Sequence, residues 1–364
     1  MAALSFGVWL YLFFAHGNFW RSGPELKHRV PFAHPEVDII VPARDEAPTI
    51  AAVIDSLRLQ DYPGKFRVIV IDDNSTDGTA DLVRKLPGVE IISLRDKPPE
   101  WSGKLWALHQ GVAATYAPVI LFTDADIVHD PRHLSALVAK QQQSDLLMVS
   151  EMVRLNCISI AERALVPAFV YFFQMLYPFH RVNDSRSSIA AAAGGTVLIR
   201  RDALMRIGGI DAIKSSLIDD VALARAVKKC GPIYLGHSGL AASIRPYPRF
   251  ADIWEMVSRT AFTQLRYSFP LLALTLAGLT VVWLVPMGEI LTGRGWPRAA
   301  AGAAFLLAMV SYLPTLVRYG RSKLWAVLLP VIALFYMAAT VKSAVDFWRG
   351  RGARWKAREY GDAR

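Results

Sequence analysis

The sequence predicts an α/β protein built on a mostly parallel sheet, with an N-terminal anchor and C-terminal helices in a membrane. Three observations carry that prediction. Short Val- and Ile-rich runs alternate with helix-like runs between residues 30 and about 250. Carboxylates cluster immediately after several of the apolar runs. Long uncharged apolar stretches gather after residue 268. The alternation implies strands joined by helical crossovers, hence parallel pairing with helices on both faces.

Composition sets the bounds. The chain has 364 residues, of which 53% are hydrophobic and 20% charged. Soluble domains carry about 25% charged residues, so a wholly soluble protein is excluded, and so is a disordered one. The length allows about two folded units. Lys and Arg number 41 against 31 Asp and Glu, a net charge of +10. Cys157 and Cys230 have neither CxxC nor Cys/His ligand spacing. A disulfide scaffold and a structural zinc site are therefore not expected, and both cysteines read as buried small hydrophobes.

Residues 269–291 contain one charge, Glu289, while 299–317 and 324–341 contain none. About 20 apolar residues in a helix span a bilayer core, so three C-terminal spans are expected. Residues 4–15 are apolar, and Arg21, Lys27 and Arg29 follow them. A signal peptide places its charges before the apolar run. The reversed order suits a retained anchor with a cytoplasmic flank, with an interfacial helix as the alternative. The basic loop at 318–323 and the tail residues Arg349, Arg351, Arg354, Lys356 and Arg358 also favour the cytoplasm. Both reach it only if the last segment is re-entrant or interfacial. The tail reads as a contact with anionic lipid. No groove-reading motif accompanies the charge, so nucleic acid is not an expected partner.

Strands are expected at 37–41, 67–72, 89–93 and 118–123, with helices at 50–59, 79–86 and 104–115. Near-continuous apolar strands fit a sheet covered on both faces. Ligands of such sheets bind beyond the carboxyl ends of the strands. Those ends read Pro42-Ala43-Arg44-Asp45-Glu46, Asp72-Asp73-Asn74-Ser75-Thr76-Asp77-Gly78 and Thr123-Asp124-Ala125-Asp126. Carboxylates converging on one edge suggest a cation or a donor-rich ligand. Asp77-Gly78 suits a turn. Asp130-Pro131 suits an N-cap followed by a first helical residue.

At these residues the sequence resembles a family 2 glycosyltransferase of the GT-A fold. The matching pieces are IIVPARDE at 39–46, VIVIDDNSTDGT at 68–79, SGKLWALHQG at 102–111, ILFTDAD at 120–126, GGTVLIRRDALMRIGG at 194–209 and IDDVALARAVKKCG at 218–231. Six pieces stand in the family's order. With the anchor and the spans, the chain most resembles the hopene-associated glycosyltransferases of bacterial hopanoid biosynthesis.

The resemblance implies a nucleotide-sugar donor, UDP-linked by expectation, and inversion at the sugar carbon. A diphosphate leaves with growing charge, which a divalent cation stabilises. Asp124 and Asp126 stand i, i+2 at a strand end, so both can project to one side. Such hard oxygen ligands suit Mg²⁺ or Mn²⁺, and the resemblance gives this DxD motif that role. Asp73 resembles the carboxylate that accepts a hydrogen bond from the nucleotide base, with Asp72 as a turn acceptor. Pro42, Arg44 and Glu46 match the first nucleotide-binding loop, although Asp45 stands where the family usually has Asn. Arg44 could equally be a surface cation. Ser102-Gly103-Lys104 opens a helix whose N-terminus favours anions. Lys104 then reaches the diphosphate or remains an exposed first-turn lysine. His109, on the same helix, reads as structural. Asp220 aligns with the family's general base, and Asp219 replaces a Glu. One of the two could instead cap the helix. Arg266 is what remains of a Q/R-x-x-R-W motif found in relatives that build polymers, and it is a possible diphosphate contact. Gly194-Gly195 allows close backbone packing or approach of the acceptor.

Residues 164–179 are apolar and aromatic but interrupted by Pro167 and Pro178. They could receive a lipid in the interface or form a core helix. The expected organisation is an anchor at 1–20, a glycosyltransferase domain at 21–267 with an interfacial segment near 161–180, membrane helices at 268–348 and a basic tail at 349–364. The expected place is the cytoplasmic membrane of a bacterium, multi-pass, with the catalytic domain facing the cytoplasm. The expected acceptor is a lipid hydroxyl. The alternatives are transfer to a polyprenyl phosphate or a polysaccharide, or a silent membrane scaffold.

Overall fold

The computed structural model describes residues 1–94 and 96–350, with the backbone of 354–355 and 358–359. Beyond residue 350 the expected basic tail otherwise lies outside the described residues. The chain divides into two compact units. One combines Pro24–Asn156, Arg181–Pro246 and Arg354–Arg364, and the other combines Met1–Gly23, Cys157–His180 and Tyr247–Ala353.

The first unit is an α/β domain around an eight-stranded sheet. Its strands are β1 (Val37–Ala43), β2 (Phe66–Asp72), β3 (Val89–Ser93), β4 (Val119–Thr123), β5 (Ile127–His129), β6 (Met148–Arg154), β7 (Thr196–Arg200) and β8 (Ile233–Ser243). They lie in the order β3-β2-β1-β4-β7-β6-β8-β5. The pairs β3–β2, β2–β1, β1–β4 and β6–β8 are parallel, while β7 and β5 run antiparallel to their neighbours. All seven residues of β1 are buried, the result of helices on both faces. Asp38 within β1 is fully buried because Arg67 grips its two oxygens at 2.8 and 2.9 Å. The helix Ile50–Arg58 buries Ile50, Val53, Ile54 and Leu57, an i, i+3, i+4, i+7 stripe.

Two local expectations are corrected. The helix after Asp130-Pro131 starts at His133, not at Pro131. Asp130 instead closes a turn, accepting from Arg132 N–H at 3.0 Å, and its own carbonyl accepts from His133 N–H. Neither cysteine is fully buried: Cys230 is exposed and Cys157 half-buried. Cys230 follows the helix Asp219–Lys228 in the turn that leads to β8, so no element covers it.

The second unit is helical. Phe269–Thr292, Gly295–Arg318 and Lys323–Trp348 are long and apolar enough to cross a membrane. Large apolar side chains on them, including Leu274, Leu291, Leu306, Val317 and Leu324, are exposed. Water disfavours such surface and lipid accepts it. The N-terminal helix Ala2–Phe14 has only 13 residues. At about 1.5 Å per residue it falls short of a core about 30 Å thick. It packs into its own unit, where Trp9 donates its indole N–H to Val282 O at 3.0 Å and meets the Trp283 ring edge-on. The helix Ile160–Leu176 runs unbroken through Pro167 and ends before Pro178. The interruption expected at Pro167 is absent. Tyr336 and Ser311 hold this helix through Leu165 O and the Tyr171 hydroxyl, at 2.8 and 2.7 Å. A Ser159–Glu162 capping box starts it.

Candidate active site

The sheet order places β1 between β2 and β4, and strand connections diverge at that point. Crevices at such switch points, beyond the carboxyl ends, are where α/β sheets bind ligands. The chain leaves β1 through Pro42 and Ala43 into Arg44, Asp45 and Glu46. Arg44 turns back toward the end of β2, donating to Asp73 O at 2.6 Å and lying 3.5 Å from Asp73 Oδ2. It is only 12% exposed, so it is not a surface cation. Asp73 is fully buried. Asp45 adopts φ +49°, a conformation that Asn and Asp tolerate better than most residues. That tolerance explains how Asp can stand where Asn is usual. Its carboxylate also receives Thr76 N–H at 2.8 Å. Asp72 accepts from Ser75 N–H, as a turn acceptor should, and Gly78 takes φ +89°.

Glu46 is 7% exposed and faces Arg245, just past β8. Arg245 Nη2 meets Glu46 Oε1 at 2.6 Å, and its Nε meets Asp126 Oδ2 at 2.7 Å. Arg245 thus ties the loop after β1 to the second aspartate of the turn after β4. Sequence reading missed it. Its partners lie 119 and 199 residues away, so no local pattern marks it.

Lys104 is placed by a helix start. Ser102 caps Gly103–Ala113 by accepting from Leu105 N–H at 3.2 Å. The Lys104 ammonium then lies 2.8 Å from Asp124 Oδ1 and 3.4 Å from Asp219 Oδ2. It is a member of the acidic cluster and not an exposed first-turn lysine. Asp219 and Asp220 open the helix Asp219–Lys228. Asp220 Oδ1 receives Val221 N–H at 2.7 Å. Gly194 passes so close that a Cβ there would lie 3.3 Å from Asp220 Oδ2, which is a physical reason for glycine. Pro42, Lys104, Asp124, Gly194, Asp219 and Asp220 line one hollow.

The electrostatics follow from crowding. Burial and the Asp219 charge push the Asp220 carboxyl up to about 7, against opposing pulls from Lys104 and the Val221 and Gly194 N–H groups. Burial, with Asp126 and Asp219 beside it, raises Asp124, and Lys104 opposes that rise. Burial works against the Lys104 charge, but Asp124, Asp219 and Asp220 outweigh it and raise its proton affinity.

Among the described residues Arg44 pairs with Asp73 and Asp45, Arg245 with Glu46 and Asp126, and Lys104 with Asp124 and Asp219 beside Asp220. Among the described residues no three His, Cys, Asp or Glu side chains form a ready-made metal cage. An oxygen-only donor set with surplus negative charge still fits a hard divalent cation. Mg²⁺ in particular binds through one or two carboxylates plus substrate phosphates. The residues present therefore fit the expected group.

Two other expected positions are placed as follows. His109 pairs with Asp211 at 2.9 Å and stacks on Trp106, a structural arrangement. Arg266 belongs to the helical unit, in the turn after Ala261–Gln264, where it takes φ +52°.

Residues 38–208 match the family model "Glycosyl transferase family 2". This segment is a family 2 glycosyltransferase domain. The enzyme is 24% identical over 352 residues to a 4,4'-diaponeurosporenoate glycosyltransferase of Staphylococcus aureus, covering 90% of this chain and 89% of that protein. A protein of the same name from Staphylococcus haemolyticus is 24% identical over 204 residues, covering 53% and 52%. Among solved structures, a mannosyltransferase from Pyrobaculum calidifontis in complex with GDP-Man and Mn²⁺ superposes with a TM-score of 0.56 at 19% identity. That match covers 95% of this chain and 99% of the other, and it shows the GT-A-like fold. None of these proteins is named for hopanoids, so the narrower resemblance to hopene-associated enzymes gains no support from them.

Proposed function

We propose that the glycosyltransferase moves a sugar from a nucleotide-sugar donor to a lipid acceptor, with Asp220 as the general base. The observation that carries this reading is the shared hollow of Lys104, Asp124, Asp219 and Asp220, with Asp220 held near neutrality. A base poised near the working pH is the one best suited to take a proton from a hydroxyl. Asp219 acts on Asp220 as a like charge beside it.

In this reading Asp73 accepts from the nucleotide base, while Pro42, Arg44 and Glu46 shape the nucleotide loop. Lys104 neutralises the leaving diphosphate. Its ammonium already stands among Asp124 and Asp219, so it needs little movement to do so. Mg²⁺ or Mn²⁺ held by Asp124 and Asp126 would supply further charge for the diphosphate. Arg245 orients Asp126 and Glu46 together. Asp220 takes the acceptor proton as the acceptor oxygen displaces the diphosphate from the opposite face of the sugar, giving inversion.

The acceptor is assigned as a lipid because three helices of this chain suit a bilayer and the relatives are named for a carotenoid acid. Within lipids, a carotenoid-type acceptor has more support than a hopanoid one. The basic residues Arg318, Arg321 and Lys323 flank two of the spans, which supports a cytoplasmic active site in a bacterial membrane.

The test is incubation of purified membranes with labelled UDP- and GDP-sugars and Mn²⁺, followed by lipid extraction and mass analysis. Label should enter the organic phase and vanish in Asp220→Asn. Label confined to a water-soluble polymer would reassign the acceptor. Equal labelling by the variant would remove Asp220 from the chemistry.

A further inference from the structure

Behind the DxD turn lies a buried polar chain that the mechanism above does not use. Glu151 on β6 hydrogen-bonds through Oε1 to His133 Nε2, at the start of the helix His133–Gln143. His133 Nδ1 lies 2.8 Å from His129 Nδ1, at the end of β5. His129 Nε2 lies 3.1 Å from the Thr123 hydroxyl, at the end of β4. That hydroxyl lies 3.0 Å from the carbonyl of Gly195. Glu151, His133, His129 and Thr123 are each no more than 5% exposed.

Only one direction of hydrogen bonding satisfies every link. A hydroxyl has a single proton. If Thr123 gave it to His129, two oxygen lone pairs would face each other across the 3.0 Å gap to Gly195 O. So Thr123 donates to Gly195, and His129 Nε2–H donates to Thr123. His129 Nδ1 must then accept from His133 Nδ1–H. The Glu151–His133 pair in turn must hold the remaining proton. Glu151 Oε2 is buried with no partner among the described residues. Burial holds His129 well below its usual proton affinity, as a neutral link requires.

The chain ends where the two halves of the active site meet. The Gly195 carbonyl also accepts from Thr196 Oγ1 at 2.8 Å and from Asp124 N–H at 3.2 Å. The preceding residue, Gly194, is the one that approaches Asp220. We propose that Glu151, His133 and His129 are positioning residues that orient the Thr123 hydroxyl and so lock the Asp124 turn to the Gly194–Gly195 loop facing Asp220. This rests on reading Asp124 and Asp220 as the donor-side and base carboxylates.

The test has two arms on the full-length enzyme in membranes. Histidine-selective ¹⁵N NMR of the wild type should show His129 as the neutral Nε2–H tautomer and His133 protonated at Nδ1. A His129 that carries its proton on Nδ1 overturns the proposal. In the kinetic arm, Glu151→Leu and His129→Phe should lower kcat about 100-fold through misplacement of about 1 Å, with donor KM nearly unchanged. Glu151→Gln, which keeps a hydrogen-bonding group against His133 Nε2, should restore kcat to within about threefold. Equal loss in Glu151→Gln and Glu151→Leu, or a loss confined to KM, overturns it. The NMR arm holds whatever the donor or acceptor proves to be, so the relay and the proposed function fail separately.

Discussion

The two edges of the sheet carry opposite kinds of pocket. At the amino edge of β4 a cavity of about 560 Å³ is lined by Pro35, Pro118, Gln141, Arg200, Asp202 and Met205. Its acids are already matched, while Arg201 donates to the Thr115 hydroxyl at 2.8 Å. Arg200 meets Asp145 at 3.0 Å and Asp202 at 2.9 Å, and Arg206 also reaches Asp202. At the carboxyl edge the hollow measures only about 20 Å³, yet its three carboxylates, Asp124, Asp219 and Asp220, face a single lining cation, Lys104. The roomier cavity asks for nothing, while the tight one is short of positive charge. On the proposed reading, unmatched charge and not volume marks where a charged substrate belongs.

The largest test of that contrast is removal of the base. Asp220→Asn should reduce sugar transfer by about 10²–10⁴-fold, the usual contribution of a general base, while donor affinity measured by calorimetry changes little. Asp219→Asn should cost far less, because its role is to tune its neighbour. If Asp219→Asn were the more damaging change, the base would have to be reassigned to Asp219.

Next in size is the cation. Chelation with EDTA should abolish transfer, and added Mn²⁺ or Mg²⁺ should restore it. Asp124→Asn or Asp126→Asn should raise the cation concentration needed for half activity by about 10–100-fold, in keeping with a charge worth several kcal/mol in the transition state. Titrating each variant with Mn²⁺ reads this directly. Full activity in chelator would show that Lys104 and the arginines supply all the positive charge the leaving group needs.

How much of this was legible in the sequence depended on range. The strands at 37–43, 66–72, 89–93 and 119–123 were visible because burial on both faces forces runs of Val and Ile. The acidic ends were visible because a carboxylate at the end of such a run needs a reason. Lys104 was placed by a local signal, the Ser102 cap. Arg245 was not legible: it follows an ordinary strand, and its value comes only from two distant carboxylates. The histidine relay was hidden for the same reason. His129 and His133 look like any i, i+4 pair until β6 brings Glu151 beside them. Pro167 misled because the cost of a proline in a helix is local, whereas the packing that overrides it comes from residues more than 100 positions away. The N-terminal helix Ala2–Phe14 is apolar enough for a span but has only 13 residues, and composition alone does not report length.

A subtler effect follows from acidity. The Asp220 carboxyl stands at about 7 in the free enzyme, raised by burial and then by Asp219. As a base it works only when deprotonated, so kcat/KM should fall as pH drops through about 7 and level off above it. Asp219→Asn removes the like charge, so the midpoint should move to lower pH. An unchanged midpoint would mean that the acidic limb belongs to another group.

The smallest expected effect lies at the amino edge. Arg200 is 35% exposed and Asp202 53%, so water screens their attraction. Arg200→Ala or Asp202→Asn should shift unfolding by no more than about 1 kcal/mol, the upper end for exposed pairs. Transfer rate, cation requirement and pH midpoint should stay at wild-type values. The size of the cavity makes this a demanding control, since a ligand site of about 560 Å³ would be ample for a small molecule. A variant here that changed donor or cation dependence would couple the two edges through β4 and β7, the antiparallel pair that joins Arg200 at one end to Thr123 at the other. Unmatched charge would then cease to be a sufficient guide to the site.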